Sequence, residues 1–340
     1  MKKIPVILSF GMLTAAAQPA DPVTEVDPFA PQEIEQNVPD TAQSEENAEE
    51  EEDDGGRIIG GKKARPGSAP WQVQLFSPTI YTDAQRKADA KLPRTDSRKK
   101  FLNERASYDI SHRCGASYIG DGWIITAAHC VNDQAITYRR VRIGTQNVAS
   151  GGKTYRIDTV VLHKGYQSEN IHDIALIHIN TKNRPLPSGV EKITLQSPAD
   201  PAMRNGETLR ATGWGMTGAK MPGTKLRLDH SGGIQFRPPN LLQVDLAYFS
   251  PARCKVFFQF RGKVHPTILC AGSSDGRDTC VGDSGGPLVR YQEKWVLVGI
   301  VSWGVGCGIE GLPGIYTRVS QYSNWIKRAK TMPRGTYKIF

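Results

Sequence analysis

Three short segments of the sequence carry side chains that could act together in acyl transfer. Residues 126–130 read Thr-Ala-Ala-His-Cys, which places His129 directly after an apolar run and beside a cysteine. Asp173 precedes a second apolar run, where a carboxylate is costly unless it is hydrogen-bonded. Residues 282–287 read Gly-Asp-Ser-Gly-Gly-Pro, and their glycines allow a tight turn that exposes the serine. A neutral hydroxyl is a weak nucleophile, so Ser284 needs a base such as histidine.

Taken singly, two of these segments have ordinary structural explanations. A lone histidine is usually structural, and an aspartate at the mouth of a strand is more often a turn or cap residue. The glycine-rich segment around Ser284 is far more specific. Together the three favour nucleophilic catalysis.

In this combination, and in the chain order His, Asp, Ser, the motifs resemble those of the chymotrypsin and trypsin family. The resemblance runs from Ile58 to about Lys330. It implies an all-β fold of two packed six-stranded antiparallel β-barrels with a C-terminal α-helix. It also implies a trypsin-like serine endopeptidase, a hydrolase that works through an acyl-enzyme.

The resemblance assigns a role to each residue of the motifs. Ser284 would attack the scissile carbonyl, and His129 would take its proton and return it to the leaving amine. Asp173 would hold the imidazole in the correct tautomer. The backbone N–H groups of Gly282 and Ser284 would bind the oxyanion.

The primary specificity pocket follows from the same resemblance. Asp278 stands six residues before Ser284, at the position of the aspartate on the floor of the trypsin pocket. A buried carboxylate there selects a cation, so substrates with Arg or Lys are expected. The alternative is that Asp278 belongs to a surface loop. The other pocket residues would be Ser302, Trp303, Gly304 and Gly314.

The six cysteines, all after residue 113, form an even set suited to disulfide bonds in an exported protein. Fifteen pairings are open from the sequence alone. The resemblance selects one of them, which joins Cys114 with Cys130, Cys254 with Cys270, and Cys280 with Cys307.

The first 57 residues have the composition of segments that are removed during maturation. Residues 1–17 combine two lysines, an apolar run and an Ala-x-Ala pattern, which indicates a signal peptide and secretion to an extracellular or periplasmic space. The apolar run is too short for the alternative, a membrane anchor. Residues 18–57 are acidic and poor in apolar side chains, so we expect a disordered prosegment. Shielding of the cationic body and a merely soluble spacer are equally open roles for it.

Residues 57–61, Arg-Ile-Ile-Gly-Gly, resemble the activation site of the family. Cleavage after Arg57 would free the Ile58 ammonium, which would enter the body and pair with Asp283. The chain is therefore predicted to be a zymogen, with self-activation as one hypothesis and a separate activating protease as the other.

The peptidase domain, residues 58–340, has the texture of an all-β protein. Short β-rich runs at 71–75, 123–126, 174–179 and 295–301 are separated by turn residues. One helix is predicted near the end, capped by Ser320, with Tyr322, Trp325, Ile326 and Ala329 on its buried face. Residues 77–111, an inserted basic stretch, and residues 216–240 are interpreted as exposed loops.

Charge suggests a second class of function. Residues 58–340 hold 40 basic and 20 acidic side chains, which favours anionic surfaces. The alternative function is therefore a catalytically idle cationic protein that binds glycans or surfaces. As partners we expect protein or peptide substrates with Arg or Lys before the scissile bond, an anionic glycan or surface, and no specific nucleic acid. We also expect no transmembrane segment after signal removal, and a monomer.

No cofactor or metal is expected. A zinc site is disfavoured because the cysteine and histidine spacings do not fit one. Residues 144–155 correspond to the calcium loop of trypsin but contain no Asp or Glu. Pro313 stands where sodium-activated relatives carry Tyr.

Overall fold

The computed structural model describes residues 60–78, 91, 106–132, 138–166, 171–217, 237–257, 264–309, 312–335 and 337–340. The predicted signal peptide, the prosegment and the cleavage site at Arg57 and Ile58 lie outside these residues, as does most of the inserted stretch. None of the described helices is long and apolar enough to cross a membrane.

The described residues form mainly short strands with three short α-helices. In chain order the elements are β1 (Lys62–Lys63), β2 (Gln72–Phe76), α1 (Ser107–Ser111), β3 (His112–Gly120), β4 (Trp123–Thr126), β5 (Arg140–Ile143), β6 (Lys153–Leu162), β7 (Ala175–Ile179), β8 (Thr194–Leu195), β9 (Thr208–Gly213), β10 (Leu242–Phe249), α2 (Pro251–Phe257), β11 (Ile268–Gly272), β12 (Pro287–Gln292), β13 (Lys294–Trp303), β14 (Gly314–Arg318), α3 (Ser323–Ala329) and β15 (Tyr337–Ile339).

The strands close into two antiparallel barrels. The first runs β6-β5-β2-β3-β4-β7 and closes where β6 pairs with β7. The second runs β10-β11-β14-β13-β12-β9 and closes where β10 pairs with β9. Closure removes the free strand edges, which would otherwise pair with other chains. The prediction of two six-stranded antiparallel barrels is confirmed.

Alternating burial explains why these sequences form barrel strands. In β5 the side chains of Val141 and Ile143 are buried, whereas those of Arg140 and Arg142 are half-buried on the other face. Strand β4 is buried throughout, and β3 and β7 pair with its two edges. The buried side chains of the barrels form two apolar clusters, one of which extends to the C-terminal helix.

The barrels contact each other through buried polar groups as well as apolar ones. The Oγ1 of Thr212 donates a 2.7 Å hydrogen bond to the Oε1 of Gln72, which lies on the other barrel. The backbone N–H of Gly115 donates to the carbonyl oxygen of Ser284 at 2.8 Å. The predicted nucleophile therefore lies on the seam between the barrels.

All four predicted β-rich runs are strands. The C-terminal helix is present and buries Trp325, Ile326 and Ala329, whereas Tyr322 is buried from the turn before it; the predicted cap was wrong. Ser320 lies in a short 3₁₀ turn, Val319–Tyr322, and α3 begins after Tyr322 with no side-chain cap. This turn already orders the backbone, so the helix does not start at the serine.

The end of the inserted stretch is not an exposed loop. Residues 107–111 form α1, in which Asp109 and Ser111 are buried. Arg237, at the end of the second supposed loop, is almost completely buried against Asp109. Basic and polar composition indicated exposure, but pairing of opposite charges allows these two side chains to be buried.

Candidate active site

His129 and Asp173 meet at the seam in the geometry of a proton-handling pair. His129 lies in a 3₁₀ turn, Ala128–Cys130, directly after β4. Its Nδ1 is 2.7 Å from Oδ2 of Asp173, and its backbone N–H donates to Oδ1 at 2.9 Å. Asp173 is fully buried, whereas 28% of the His129 side chain is exposed. The carboxylate thus fixes the ring, and the opposite ring edge is accessible.

Two further side chains hold Asp173 in place. The hydroxyl of Ser302 donates to Oδ2 at 2.5 Å, and that of Thr317 donates to the Asp173 carbonyl oxygen at 2.8 Å. Ser302 was predicted as a pocket residue, and the structure adds this contact. Thr317 was missed, because nothing in the local sequence distinguishes a threonine on β14 from an ordinary strand residue.

Ser284 lies in the tight turn that leads into β12. The following residue, Gly285, has a positive φ of 78°, and a β-carbon there would collide with the Thr126 side chain. The Sγ of Cys130 is 3.7 Å from the Ser284 carbonyl oxygen. The serine main chain therefore packs against the segment that carries His129, as the three motifs predicted.

Gly282 is held by a buried network that the sequence did not reveal. The Nε2 of His112 is 2.7 Å from the Gly282 carbonyl oxygen, and Nε2 of Gln74 is 3.2 Å from Nδ1 of His112. Because a carbonyl oxygen can only accept, the His112 Nε2–H donates to Gly282, and Nδ1 of the neutral ring accepts from the Gln74 amide nitrogen. Burial, followed by the charge of Arg237, lowers the pKa of His112 to about 3. The ring is therefore neutral at physiological pH.

Asp283 is buried next to the nucleophile in a cradle of backbone groups. Its Oδ1 accepts from the Gly215 N–H at 2.7 Å and its Oδ2 from the Cys280 N–H at 2.9 Å. A β-carbon at Gly213 or Gly215 would collide with this carboxylate. Burial raises the Asp283 pKa to about 6, so its charged form needs more compensation than these two amides provide.

Asp278 is a buried carboxyl next to two glycines of the last strands. It is 7% exposed, which excludes the surface-loop alternative. Its Oδ2 accepts from the Gly308 N–H at 3.1 Å, whereas Oδ1 accepts no hydrogen bond from any described residue. A β-carbon at Gly314 would lie 3.1 Å from Oδ1, and one at Gly304 would lie 4.0 Å from the Gly314 Cα. The two glycines therefore face each other above the carboxylate.

Trp303, the remaining predicted wall residue, lies between Ser302 and Gly304 at the end of β13 and is half-buried. Asp278, Gly304 and Gly314 thus lie next to one another, whereas Ser302 contacts Asp173. The pairing of β13 with β14 shifts register between Val301 and Trp303.

Among the described residues the structure records two disulfide bonds, Cys114–Cys130 and Cys254–Cys270, as predicted. The Cys280–Cys307 bond is not among them. Both side chains are buried and form one small cluster with Met216, so this third bond stays a prediction.

One group in the described part of the chain has the spacing of metal ligands, namely Cys114, His129 and Cys130. Its two sulfurs are joined to each other, and the His129 Nδ1 faces Asp173. No thiolate is therefore offered to a metal ion at this place.

Comparison with known proteins identifies the family. A family model described as Trypsin matches residues 94–326, which is more than half of the chain. The chain belongs to the trypsin family. It is 31% identical over 274 residues to trypsin delta of Drosophila erecta, which covers 80% of this chain and 88% of that protein. With trypsin delta of Drosophila melanogaster it is 32% identical over 272 residues, which covers 79% and 87%.

A longer relative matches more of the chain. Serine proteinase stubble of Drosophila melanogaster is 28% identical over 345 residues, covering 93% of this chain. The chain spans 38% of the length of that relative. Membership of the trypsin family establishes a serine peptidase, a hydrolase of peptide bonds, and supports protein substrates. The family-model match begins after the Arg57 site.

Proposed function

We propose that this trypsin-family chain is the secreted zymogen of an endopeptidase that cleaves after Arg or Lys. The observation that supports this specificity best is the Asp278 oxygen, buried without a partner among the described residues below the two glycines. A buried acceptor without a donor is costly, and the cationic end of a substrate side chain supplies the missing donor and charge.

The proposed mechanism uses the three residues of the seam. The Ser284 oxygen attacks the scissile carbonyl while His129 takes the hydroxyl proton, and Asp173 stabilises the resulting imidazolium. The backbone N–H groups of Gly282 and Ser284 bind the oxyanion. His129 then gives the proton to the leaving amine and the C–N bond breaks, which leaves the acyl group on the Ser284 oxygen. In the second half His129 takes a proton from water, which attacks the acyl carbonyl, and returns it to the Ser284 oxygen as the ester bond breaks.

Pocket affinity is expected to depend on pH through Asp278. Burial raises the pKa of this carboxyl to about 7 when no cation is bound, so it is protonated below this pH and charged above it. A cationic ligand binds the charged form. We expect the Ki of benzamidine to fall about tenfold per unit as the pH rises from 5 to 7 and then to level off. Inhibition assays on the cleaved chain measure this, and a Ki independent of pH contradicts it.

Activation by cleavage at Arg57 follows from the buried carboxylate of Asp283. In the proposed scheme the freed Ile58 ammonium pairs with Asp283 and thereby orders the neighbouring oxyanion loop. Gly60 lies close to the cleavage site and packs against Arg277, which precedes Asp278 in the chain. This contact supports a connection between the new N-terminus and the pocket.

We therefore expect the Arg57→Gln chain to hydrolyse an Arg amide at least about 100-fold more slowly than the cleaved wild-type chain, because Asp283 then lacks the ammonium that compensates its buried charge beside the oxyanion donors. Treatment with a protease that cleaves after Arg, followed by the same assay, is the measurement. Arg57→Lys, which keeps a cleavable bond, should recover full activity after treatment. An uncleaved Arg57→Gln chain with full activity excludes this scheme.

A further inference from the structure

A buried ion pair joins two segments that differ in composition from the barrels. The Arg237 Nη1 is 3.0 Å from Oδ1 of Asp109 and donates to the Asp109 carbonyl oxygen at 2.9 Å. The Asp109 side chain is fully buried and 10% of the Arg237 side chain is exposed. Asp109 lies near the end of the inserted stretch 77–111, and Arg237 lies near the end of the basic stretch 216–240. The pair therefore fastens one stretch to the other.

The guanidinium lies directly against Gly282. The Arg237 Nε is 2.7 Å from the place where a β-carbon on Gly282 would stand. The Gly215 Cα and the His112 ring are 3.2 and 3.3 Å from the same place. Gly282 has a positive φ of 104°, a conformation that only glycine adopts readily. Three groups thus occupy the space beside the Gly282 α-carbon, on the side where a β-carbon would project. They restrict a residue whose backbone torsions are otherwise less limited than those of other amino acids.

Both contacts to Gly282 originate from one short segment. Asp109 lies in α1 and holds the arginine, while His112 begins β3 and donates to the Gly282 carbonyl oxygen. The Tyr108 hydroxyl adds a 3.3 Å hydrogen bond to the Arg237 carbonyl oxygen. Residues 108–112 therefore hold Gly282 in two ways. His112 donates to the Gly282 carbonyl oxygen, and Asp109 positions Arg237 beside the Gly282 α-carbon.

We infer that Arg237, paired with Asp109, is a positioning residue that fixes Gly282 for oxyanion binding. This inference rests on the proposed function. Oxyanion donors accelerate acyl transfer only when they are preorganised, and a glycine with free backbone torsions loses that order unless its surroundings hold it. A buried ion pair adds little net stability compared with apolar residues of similar size. The contacts therefore fit a role in geometry better than one in stability.

The experiment compares the cleaved wild-type chain with the double variant Asp109→Leu/Arg237→Met. Removing both charges avoids the buried unpaired charge that either single change would leave. The matched control is Asp245→Leu/Arg210→Met, which removes a bidentate pair of 2.7 and 2.9 Å on the outer face of the second barrel. Three quantities are measured: kcat and KM for an Arg amide, the Ki of a peptide aldehyde with Arg, and the Ki of benzamidine.

A peptide aldehyde forms a tetrahedral adduct that uses the oxyanion donors, whereas benzamidine uses only the pocket. We expect the Asp109/Arg237 double variant to lose about 10- to 100-fold in kcat and a similar factor in aldehyde affinity. Its KM and benzamidine Ki should stay within about twofold, and the control variant should match the wild type in every quantity.

A folded double variant with unchanged kcat and aldehyde affinity overturns the inference. An equal loss of benzamidine affinity also overturns it, because that loss indicates general disruption. If the double variant does not fold, the Arg237→Lys variant is measured instead, since it keeps the positive charge but lacks the Nε beside Gly282. A wild-type kcat for Arg237→Lys overturns the inference. A cleaved wild-type chain without peptidase activity defeats the proposed function itself, and the inference with it.

Discussion

Replacing Ser284 by Ala is expected to lower kcat for an Arg amide by about 10⁶-fold, the size of effect seen when a triad nucleophile is removed. Ser284 is the hydroxyl residue of the turn after Gly282, and its main chain packs against the segment that carries His129. The remaining rate should be that of an enzyme that binds the substrate and retains its oxyanion donors. Single-turnover and steady-state assays on the cleaved variant measure this loss.

The control for this change is ligand binding. Ser284 is only partly buried, and its backbone rather than its hydroxyl makes the 2.8 Å contact with Gly115. The Ser284→Ala protein should therefore keep its melting temperature and bind benzamidine as the wild type does. A folded Ser284→Ala protein with more than about one hundredth of wild-type kcat would contradict the assigned nucleophile.

Replacing Asp278 by Ser is expected to lower kcat/KM for an Arg substrate by about 10³-fold, since breaking a buried ion pair costs about 3–5 kcal/mol. The change removes the negative charge between Gly304 and Gly314 but leaves the triad untouched. Hydrolysis of a reactive ester with an uncharged side chain should therefore fall far less. The quantity to measure is the ratio of kcat/KM for substrates with Arg and with Leu before the scissile bond.

Asp275→Ser supplies the matched control. Asp275 lies three residues earlier, is exposed, and pairs with Arg277 at 2.8 Å, so its removal should leave the preference for Arg unchanged. An Asp278→Ser protein that retains the wild-type preference for Arg would show that another group selects the cation.

The barrels were predictable from local signals, and the residues of the proposed triad were recognisable from their motifs. Buried strands such as β4 are recognisable as short apolar runs between turn residues. Each of His129, Asp173 and Ser284 stands within a distinctive segment. The resemblance to the trypsin family implied that the three lie together in the fold. Gly304 and Gly314 were assigned in the same way, because the segment from Trp303 through Tyr316 matches trypsin in length.

The remaining features depend on partners distant in sequence. His112 meets Gly282 across 170 residues, and Arg237 meets Asp109 across 128. A histidine or arginine in a polar segment is ordinarily exposed, so composition pointed the wrong way for this ion pair. The C-terminal strand β15, which pairs in parallel with β6, was likewise missed. Its three residues are too few to show an alternating pattern.

The most direct test of the central claim is the site of acylation. The cleaved protein is mixed with an Arg ester, quenched in acid during the initial burst, and digested for mass spectrometry. We predict close to one acyl group per active molecule, attached to the peptide that contains Ser284 and absent from the Ser284→Ala protein. An acyl group found on another residue would contradict the assignment. So would turnover without a burst or an acylated peptide, under conditions in which deacylation limits the rate.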